Sequence, residues 1–434
     1  MLSGLRVGVS DSMTMSAVPT VSKLDYNATL RIANAVARAG EALGLRLGRL
    51  DAGSILDAAR RHTGLEDWGD EAFLVPMRKL VEEVAKREDF TPLARVIMRQ
   101  TWIRAVCNRL WIRDWTKRHP EVFERKVERP IFVLGFPRTG TTLIQNLLAL
   151  DPARRGLPFW ECTCPAPLVE DVLVDREQRR RTTRMMLQAA YRAAPEMAQV
   201  HFIDVETIEE CWPLLANSFT VMNWELQSGL EPYGDFIQNE IDMRGPYGEY
   251  KATLQVLLDR NPAEQLVLKC PEHLWFVDAL LSVFPDACIV WTHRDPYDTI
   301  ASYSSLMSLQ WRTLFGRIDR PKIGDFMERR MHVGIERAMD ARTRHDPARF
   351  FDVRFCDLVA DPAKVLEDIS THFSLDLSTG HRAKVKEYLS RKRGDEPGRH
   401  VYDGALYELD RDRVHERYKH YIDTFGIQTG KPCR

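Results

Sequence analysis

IFVLGFPRTGTTLIQNLL, residues 131–148, opens on four apolar residues, turns between Gly135 and Gly140, and runs on with helical apolar spacing from Thr141. A strand leading into a glycine-rich turn and then a helix is the architecture of a phosphate cradle. The N–H groups of the turn point inward, and the helix start adds roughly half a positive charge. Gly135 and Gly140 keep the GxxxxG spacing of nucleotide-binding loops. Thr141, followed by Thr142, stands where the Lys of such loops belongs, and the cation sits inside the turn at Arg138. A Walker lysine serves the β- and γ-phosphates and the hydroxyl after it holds Mg²⁺. The loop is therefore suited to an anion but not to hydrolysis of a nucleoside triphosphate.

Outward from the loop, three more apolar runs read as strands: LVL (266–268), ACIVW (287–291) and FFDVRF (350–355). Helical patterns such as HLWFVDALLSVF and DTIASYSSLM separate them. The alternation predicts an α/β fold, a P-loop-type parallel β-sheet flanked by helices. Upstream the texture is helical, giving an N-terminal helical extension. Leu30, Ile32, Ala33, Val36 and Ala37 fall near one helical face, Ser54 is placed to cap ILDAARRH, and FLVPMRKLVEEVAKR and LARVIMRQTWIRAVCNRLWIRDWTKR are amphipathic. Residues 1–25 read as a flexible arm, 26–125 as the helical region and 126–434 as the loop-bearing domain. The basic, Gly/Pro-broken stretch SRKRGDEPGRH (390–400) reads as a loop.

Composition narrows the partners. Of 434 residues, 44% are apolar, enough for a sizeable core, and 61 basic residues balance 62 acidic ones. Such balance excludes a global pull toward nucleic acid, so an anionic ligand must be met by local cations. No run of about 18 uncharged apolar residues indicates a transmembrane segment. The N-terminus lacks a signal-peptide pattern, and the eight cysteines show neither a disulfide framework nor zinc spacing. A cytoplasmic protein with reduced thiols and no metal site is expected.

Ligands of parallel sheets sit beyond the carboxyl ends of the strands. Arg138 follows the first apolar run, Lys269 the second and Arg294 the third. If the strands are neighbours, three cations converge on one edge, which implies a ligand with more than one negative group. In HRDPYDTIASYSSL, Arg294 ends a strand, Asp295-Pro296 fits a helix start, and Ser302 follows two turns later. An Arg plus a hydroxyl suits a phosphate monoester. HRD also opens the protein-kinase catalytic loop, but Ile300 stands where that loop requires Asn.

These motifs resemble the PAPS-dependent sulfotransferases, which use 3′-phosphoadenosine 5′-phosphosulfate. GFPRTGTT is similar to their 5′-phosphosulfate loop and HRDPYDTIAS to their 3′-phosphate motif; KCPEHL (269–274), FCDLVADP (355–362) and TGLEDWGD (63–70) resemble a bacterial branch related to tyrosylprotein sulfotransferases. The resemblance implies that Arg138, Thr139, Gly140, Thr141 and Thr142 hold the 5′-phosphosulfate, and Arg294 and Ser302 the 3′-phosphate. Lys392, Arg393 and Gly394 are candidates for a further basic loop near the 3′-phosphate, although the sequence departs there from the family pattern. The product nucleotide would be adenosine 3′,5′-bisphosphate, with no metal required.

For the chemistry, Glu161 in GLPFWECTCPAP is the first candidate for general base, since it returns toward the loop edge beside Phe159 and Trp160. A Glu at this offset serves tyrosylprotein sulfotransferases, and Lys269 resembles their leaving-group lysine. His201, the base type of cytosolic sulfotransferases, is the next candidate, and His273 and the Glu209-Glu210 pair are rivals. Arg138 would stabilise charge in the transition state. The acceptor is expected to be a small molecule bearing a hydroxyl, and the aromatics Phe159, Trp160, Phe202, Trp212, Phe219, Trp224 and Tyr233 suit an apolar, lipid-like or phenolic one equally as they suit a helical core. A homodimer is compatible with such an enzyme. Two alternatives stay open: a P-loop nucleotide kinase or NTPase-like enzyme, and a non-catalytic nucleotide-binding module.

Overall fold

The computed structural model describes residues 28–45, 48–193, 195, 202–394 and 403–430. The arm read at 1–25 and the base candidate His201 lie outside these residues. Five parallel strands form the sheet: β1 (Ile131–Leu134), β2 (Arg154–Arg155), β3 (Gln265–Lys269), β4 (Cys288–His293) and β5 (Phe350–Arg354), in the order β2-β3-β1-β4-β5. Each apolar run of the sequence is a strand. β2 was not foreseen, because it is two arginines held only by register with Gln265 and Leu266.

β1 has β3 on one side and β4 on the other, so the chain reverses its direction of winding at β1 and leaves a crevice at its carboxyl end. Ile131, Val133, Val267 and Val290 face one layer, packing on Ile144, Leu147 and Leu148 of the helix after the loop and on Leu366 and Ile369. Phe132, Leu134, Leu268, Ile289 and Trp291 face the other layer.

That second layer is continuous with the N-terminal helices α1 (Ala28–Ala42), α2 (Ala52–Thr63), α3 (Leu74–Ala85) and α4 (Pro92–Arg118), which contribute Ile55, Leu80, Val106 and Leu110 to the same cluster. Phe90 stacks on Phe315 with centroids 4.9 Å apart, Thr91 N–H donates to Leu314 O at 2.9 Å, and Asn108 Nδ2 donates to Asn217 Oδ1 at 3.1 Å.

Three local expectations are corrected. The cap of α2 is Asp51, whose carboxylate accepts from Ser54 N–H, while the Ser54 hydroxyl donates back to Asp51 O. Helix α1 buries Leu30 and Ala37 but leaves Ile32 and Val36 66% and 65% exposed. A helix turns 100° per residue, so positions 32 and 36 point away from 30 and 37. Finally, Lys392, Arg393 and Gly394 lie in the helix Thr379–Gly394 instead of a loop, while 395–400 of the same stretch lie outside the described residues. Arg and Lys favour helix. Their side chains are outside the described residues.

Cys107, Cys162, Cys164, Cys211, Cys270 and Cys288 are free and buried, whereas Cys356 is disulfide-bonded, contrary to the expectation of thiols throughout. Among the described residues, no helix is long and apolar enough to cross a membrane.

Candidate active site

The loop after β1 is latched to β4. Thr139 Oγ1 donates to Phe136 O at 2.6 Å and lies 2.5 Å from Thr292 Oγ1, which in turn reaches Leu134 O at 3.2 Å. Gly135 has φ 135°, and a Cβ there would stand 2.0 Å from Thr292 Oγ1, so the close approach of β4 demands glycine. Arg138 takes a left-handed φ of 73°, which costs a non-glycine residue energy and is typical of ligand clamps. Gly140, φ 93°, is the N-cap of α5 (Thr141–Ala149). It supplies no side chain to cap the helix's first N–H groups, the donors by which a helix start binds anions.

The third motif closes on this loop. Arg294 Nη1 donates to Arg138 O at 2.7 Å and its guanidinium lies 4.4 Å over the Phe355 ring. Arg138 Nε donates to Ser302 Oγ at 3.3 Å. Ser302 is buried on the helix Pro296–Phe315, which starts with Pro296 behind its N-cap Asp295. Asp295 is itself held by Arg411, His415 and the N–H of Gly430, so the C-terminal segment fixes the helix start. Arg138, Arg294 and Ser302 thus meet at one crevice, as does the start of α5.

Lys269 ends β3, one strand away, and is 1% exposed. Its Nζ donates to Glu210 Oε1 at 3.0 Å. Burial pulls the ammonium down, but the carboxylates of Glu210 and Glu209 outweigh it, so its pKa is raised and it stays charged. The strip of chain that carries Glu209 and Glu210, residues 203–211, is tied to β3 by backbone: Cys211 N–H donates to Lys269 O at 3.0 Å. Behind it His273 is fully buried, with Nδ1 2.8 Å from Tyr247 OH and Nε2 3.5 Å from Cys211 Sγ. His273 is thereby placed in a packed network under the strip carrying Glu210.

Glu161 is buried and already paired. Arg155 Nη1 donates to its Oε2 at 2.5 Å, and Asn261 Nδ2 to its Oε1 at 3.4 Å. Arg155 is in register with Leu266, three residues before Lys269, and Asn261 precedes β3. Both carboxylate oxygens are therefore engaged, by Arg155 of β2 and by Asn261 ahead of β3, and Lys269 pairs with Glu210 instead. The residues that sequence reasoning missed are Thr292, the latch, and Phe355, the platform under Arg294. Their signal was position: Thr292 precedes the His-Arg-Asp motif and Phe355 ends the last apolar run.

The sulfotransferase family description matches residues 130–379, more than half of the chain. The chain belongs to the sulfotransferase family. It is similar to sulfotransferase STF9 from Mycobacterium avium, with a TM-score of 0.79 and 29% identity over 88% of this chain and 98% of that one. Sulfotransferase STF1 from Mycobacterium tuberculosis H37Rv gives a TM-score of 0.76 and 28% identity, covering 85% of this chain and 98% of that one. The omega-hydroxy-beta-dihydromenaquinone-9 sulfotransferase Stf3 of Mycobacterium bovis is 26% identical over 342 residues, 72% of this chain and 81% of that protein. The sulfotransferase is therefore an enzyme that moves a sulfonate from PAPS to a hydroxyl acceptor, on the α/β fold read from its strands. Sulfotransferase chemistry also sets aside the kinase-like and non-catalytic alternatives.

Proposed function

We propose that this sulfotransferase sulfonates an apolar, lipid-like alcohol or phenol, with Glu210 as general base and Lys269 at the leaving group. The observation that carries the nucleotide half is the junction of Arg138, Arg294 and Ser302 at the mouth of the loop, with Arg294 Nη1 2.7 Å from Arg138 O and Arg138 Nε 3.3 Å from Ser302 Oγ. Arg138 and the N–H groups of Thr141 and Thr142 suit the phosphosulfate end; Arg294 and Ser302 suit the second phosphate. The charge-assisted donors present there are the kind that recognise anionic oxygens.

In the reaction, the acceptor oxygen bonds to sulfur as the bond from sulfur to the bridging phosphate oxygen breaks. Glu210 takes the acceptor proton, and the Lys269 ammonium offsets the negative charge left on the bridging oxygen. Donors aimed at developing charge contribute about 3 kcal/mol each in comparable sites, and a positioned base adds roughly 10²–10⁴ in rate. Glu210 is favoured over Glu161 because its carboxylate contacts Lys269, whereas Glu161 is held between Arg155 and Asn261. The lipid-like acceptor is supported by the name of the Mycobacterium bovis relative, whose acceptor is a hydroxylated menaquinone derivative.

The test is an acceptor screen with radiolabelled PAPS, comparing long-chain quinols and polyprenyl alcohols with short phenols and sugars, beside an Arg138→Ala control. Label transfer to the long-chain hydroxyls, abolished in the control, is the expected result. Transfer to sugars or short phenols alone would overturn the acceptor assignment.

A further inference from the structure

Helix α1 carries two apolar stripes. Leu30 and Ala37 are buried on one side, while Ile32 and Val36 stand 66% and 65% exposed on the opposite side, and Leu43, just past the helix, is 81% exposed. Ile32 and Val36, four residues apart, form a seam along the helix. α1 packs against the helix Val172–Ala193, whose Met185 and Met186 are 63% and 40% exposed. Isolated exposed apolar side chains are ordinary, but exposed apolar residues carried by two helices that pack together mark an interaction surface.

Arginine outnumbers the acidic residues around the seam. Arg31 and Arg38 lie one stripe over on α1 and are exposed, and Arg181 and Arg184 are exposed beside the methionines. The exposed Glu41 on α1 and Glu177, 3.7 Å from Arg184, offset only part of that charge. The chain as a whole is near neutral, so this is a local concentration of arginine.

The surface is also joined to the site. Tyr191, on the same helix, donates through its hydroxyl to Ile203 O and accepts from Ile203 N–H, both at 2.7 Å. Ile203 opens the strip that continues to Glu209 and Glu210. Phe202, 64% exposed, stacks on Tyr191 with rings 7° from parallel. Arg179 and Arg180 bracket Trp160 at 4.6 and 5.5 Å, and Trp160 N–H bonds to Val205 O.

We propose that α1 and the helix Val172–Ala193 form a docking surface for an anionic lipid bilayer. The aliphatic seam enters the headgroup boundary and the flanking arginines meet lipid phosphates, the two contributions by which peripheral helices bind membranes. An acceptor with a long apolar body resides in such a bilayer, so docking brings the strip bearing Glu210 to it. The proposal extends the reading of a lipid-like acceptor and rests on that reading for its purpose alone.

The experiment is co-sedimentation of the full chain with vesicles of phosphatidylglycerol and phosphatidylcholine, against phosphatidylcholine alone, with no nucleotide or acceptor present. The wild type pellets with the anionic vesicles and is released as the salt rises toward about 0.5 M. Ile32→Gln/Val36→Gln and, separately, Arg38→Glu/Arg181→Glu each weaken pelleting about tenfold or more, with unchanged melting curves. A wild type that stays in the supernatant, or an Ile32→Gln/Val36→Gln variant that pellets as well as wild type, overturns the proposal. So does a wild-type dimer that the same double variant converts to monomer, since the seam would then join two copies of the chain. Because the vesicles carry no acceptor, failure here leaves the sulfonation screen to decide the acceptor by itself.

Discussion

Arg138 Nε donates to Ser302 Oγ at 3.3 Å, joining the glycine-rich loop to a helix 164 residues later in the chain. Arg294 closes the triangle from the end of β4. If Arg138 serves the transferring group as proposed, Arg138→Ala should lower kcat/KM by about 100-fold or more. Ser302→Ala removes one hydroxyl and should weaken binding of adenosine 3′,5′-bisphosphate by about tenfold. Calorimetric titration of the product nucleotide and steady-state kinetics check both values.

Glu161 and Glu210 are separable by one conservative change each. Glu210→Gln should cut turnover by roughly 10²–10⁴ while the product nucleotide still binds. Glu161→Gln breaks the pair with Arg155, which is 14% exposed at its side chain, and should appear mainly as a lower melting temperature. Single-turnover assays run beside thermal melts distinguish the two; full loss of turnover in a well-folded Glu161→Gln protein would return the base to that residue.

The alkaline side of the pH profile follows from Lys269. Its pKa is raised because Glu210 and Glu209 outweigh burial. A raised folded pKa means the charged form, and the stability it contributes, persists below the ordinary lysine range and is lost only as pH climbs past the folded value. Wild-type activity should therefore show no lysine-linked fall through pH 10. In Glu210→Gln the main raising influence is gone while burial stays, so the residual activity should fall at lower pH. A residual profile with the wild-type alkaline limb would contradict the pairing.

At the acid end, Asp352 on β5 is held at about 2, below the usual 3.8: burial opposes this, but the hydrogen bonds and charges of His293 and Arg342 prevail. A depressed folded pKa gives stability that is present above the unfolded value and lost as pH falls from about 4 through about 2. After discounting for the partial exposure of the carboxylate, the effect is on the order of 1–2 kcal/mol. Acid unfolding followed by circular dichroism should be shallower over that window in Asp352→Asn.

The latch between Thr139 and Thr292 makes a separate prediction. Thr292→Val keeps the shape of the side chain but loses the bonds to Thr139 Oγ1 and Leu134 O. Destabilisation of about 1–3 kcal/mol is expected, because Thr139 and the loop carbonyls are left with fewer partners in a buried place. Chemical denaturation measures it, and an unchanged midpoint would show that the latch contributes nothing.

The sequence made the sheet legible where both faces are buried. Ile131–Leu134 and Cys288–His293 are buried at every position, and continuous apolar runs announce such strands. β2 carries no such signal, since Arg154 and Arg155 pair only through tertiary register. The loop, Arg138, Arg294 and Ser302 were legible because each follows a strand or opens a helix at fixed spacing. The partner of Lys269 was not, because Glu210 arrives from 59 residues away. Glu161 shows the converse: Arg155, six residues earlier, captures it, and nothing in local spacing tells a buried pair from an available base. On α1, Leu30 and Ala37 compete with Ile32 and Val36 as the inward stripe, and apolarity alone cannot rank two candidates on one helix.

The stacking of Phe90 on Phe315 and the bond from Thr91 N–H to Leu314 O hold the far end of the helix that bears Ser302. The N-terminal helices are thus a buttress for the helix that carries Ser302 rather than an appendage. A minimal enzyme cut at residue 130 would strip the support from that helix, so shortening this protein to its family segment removes part of the scaffold that sets where Ser302 stands.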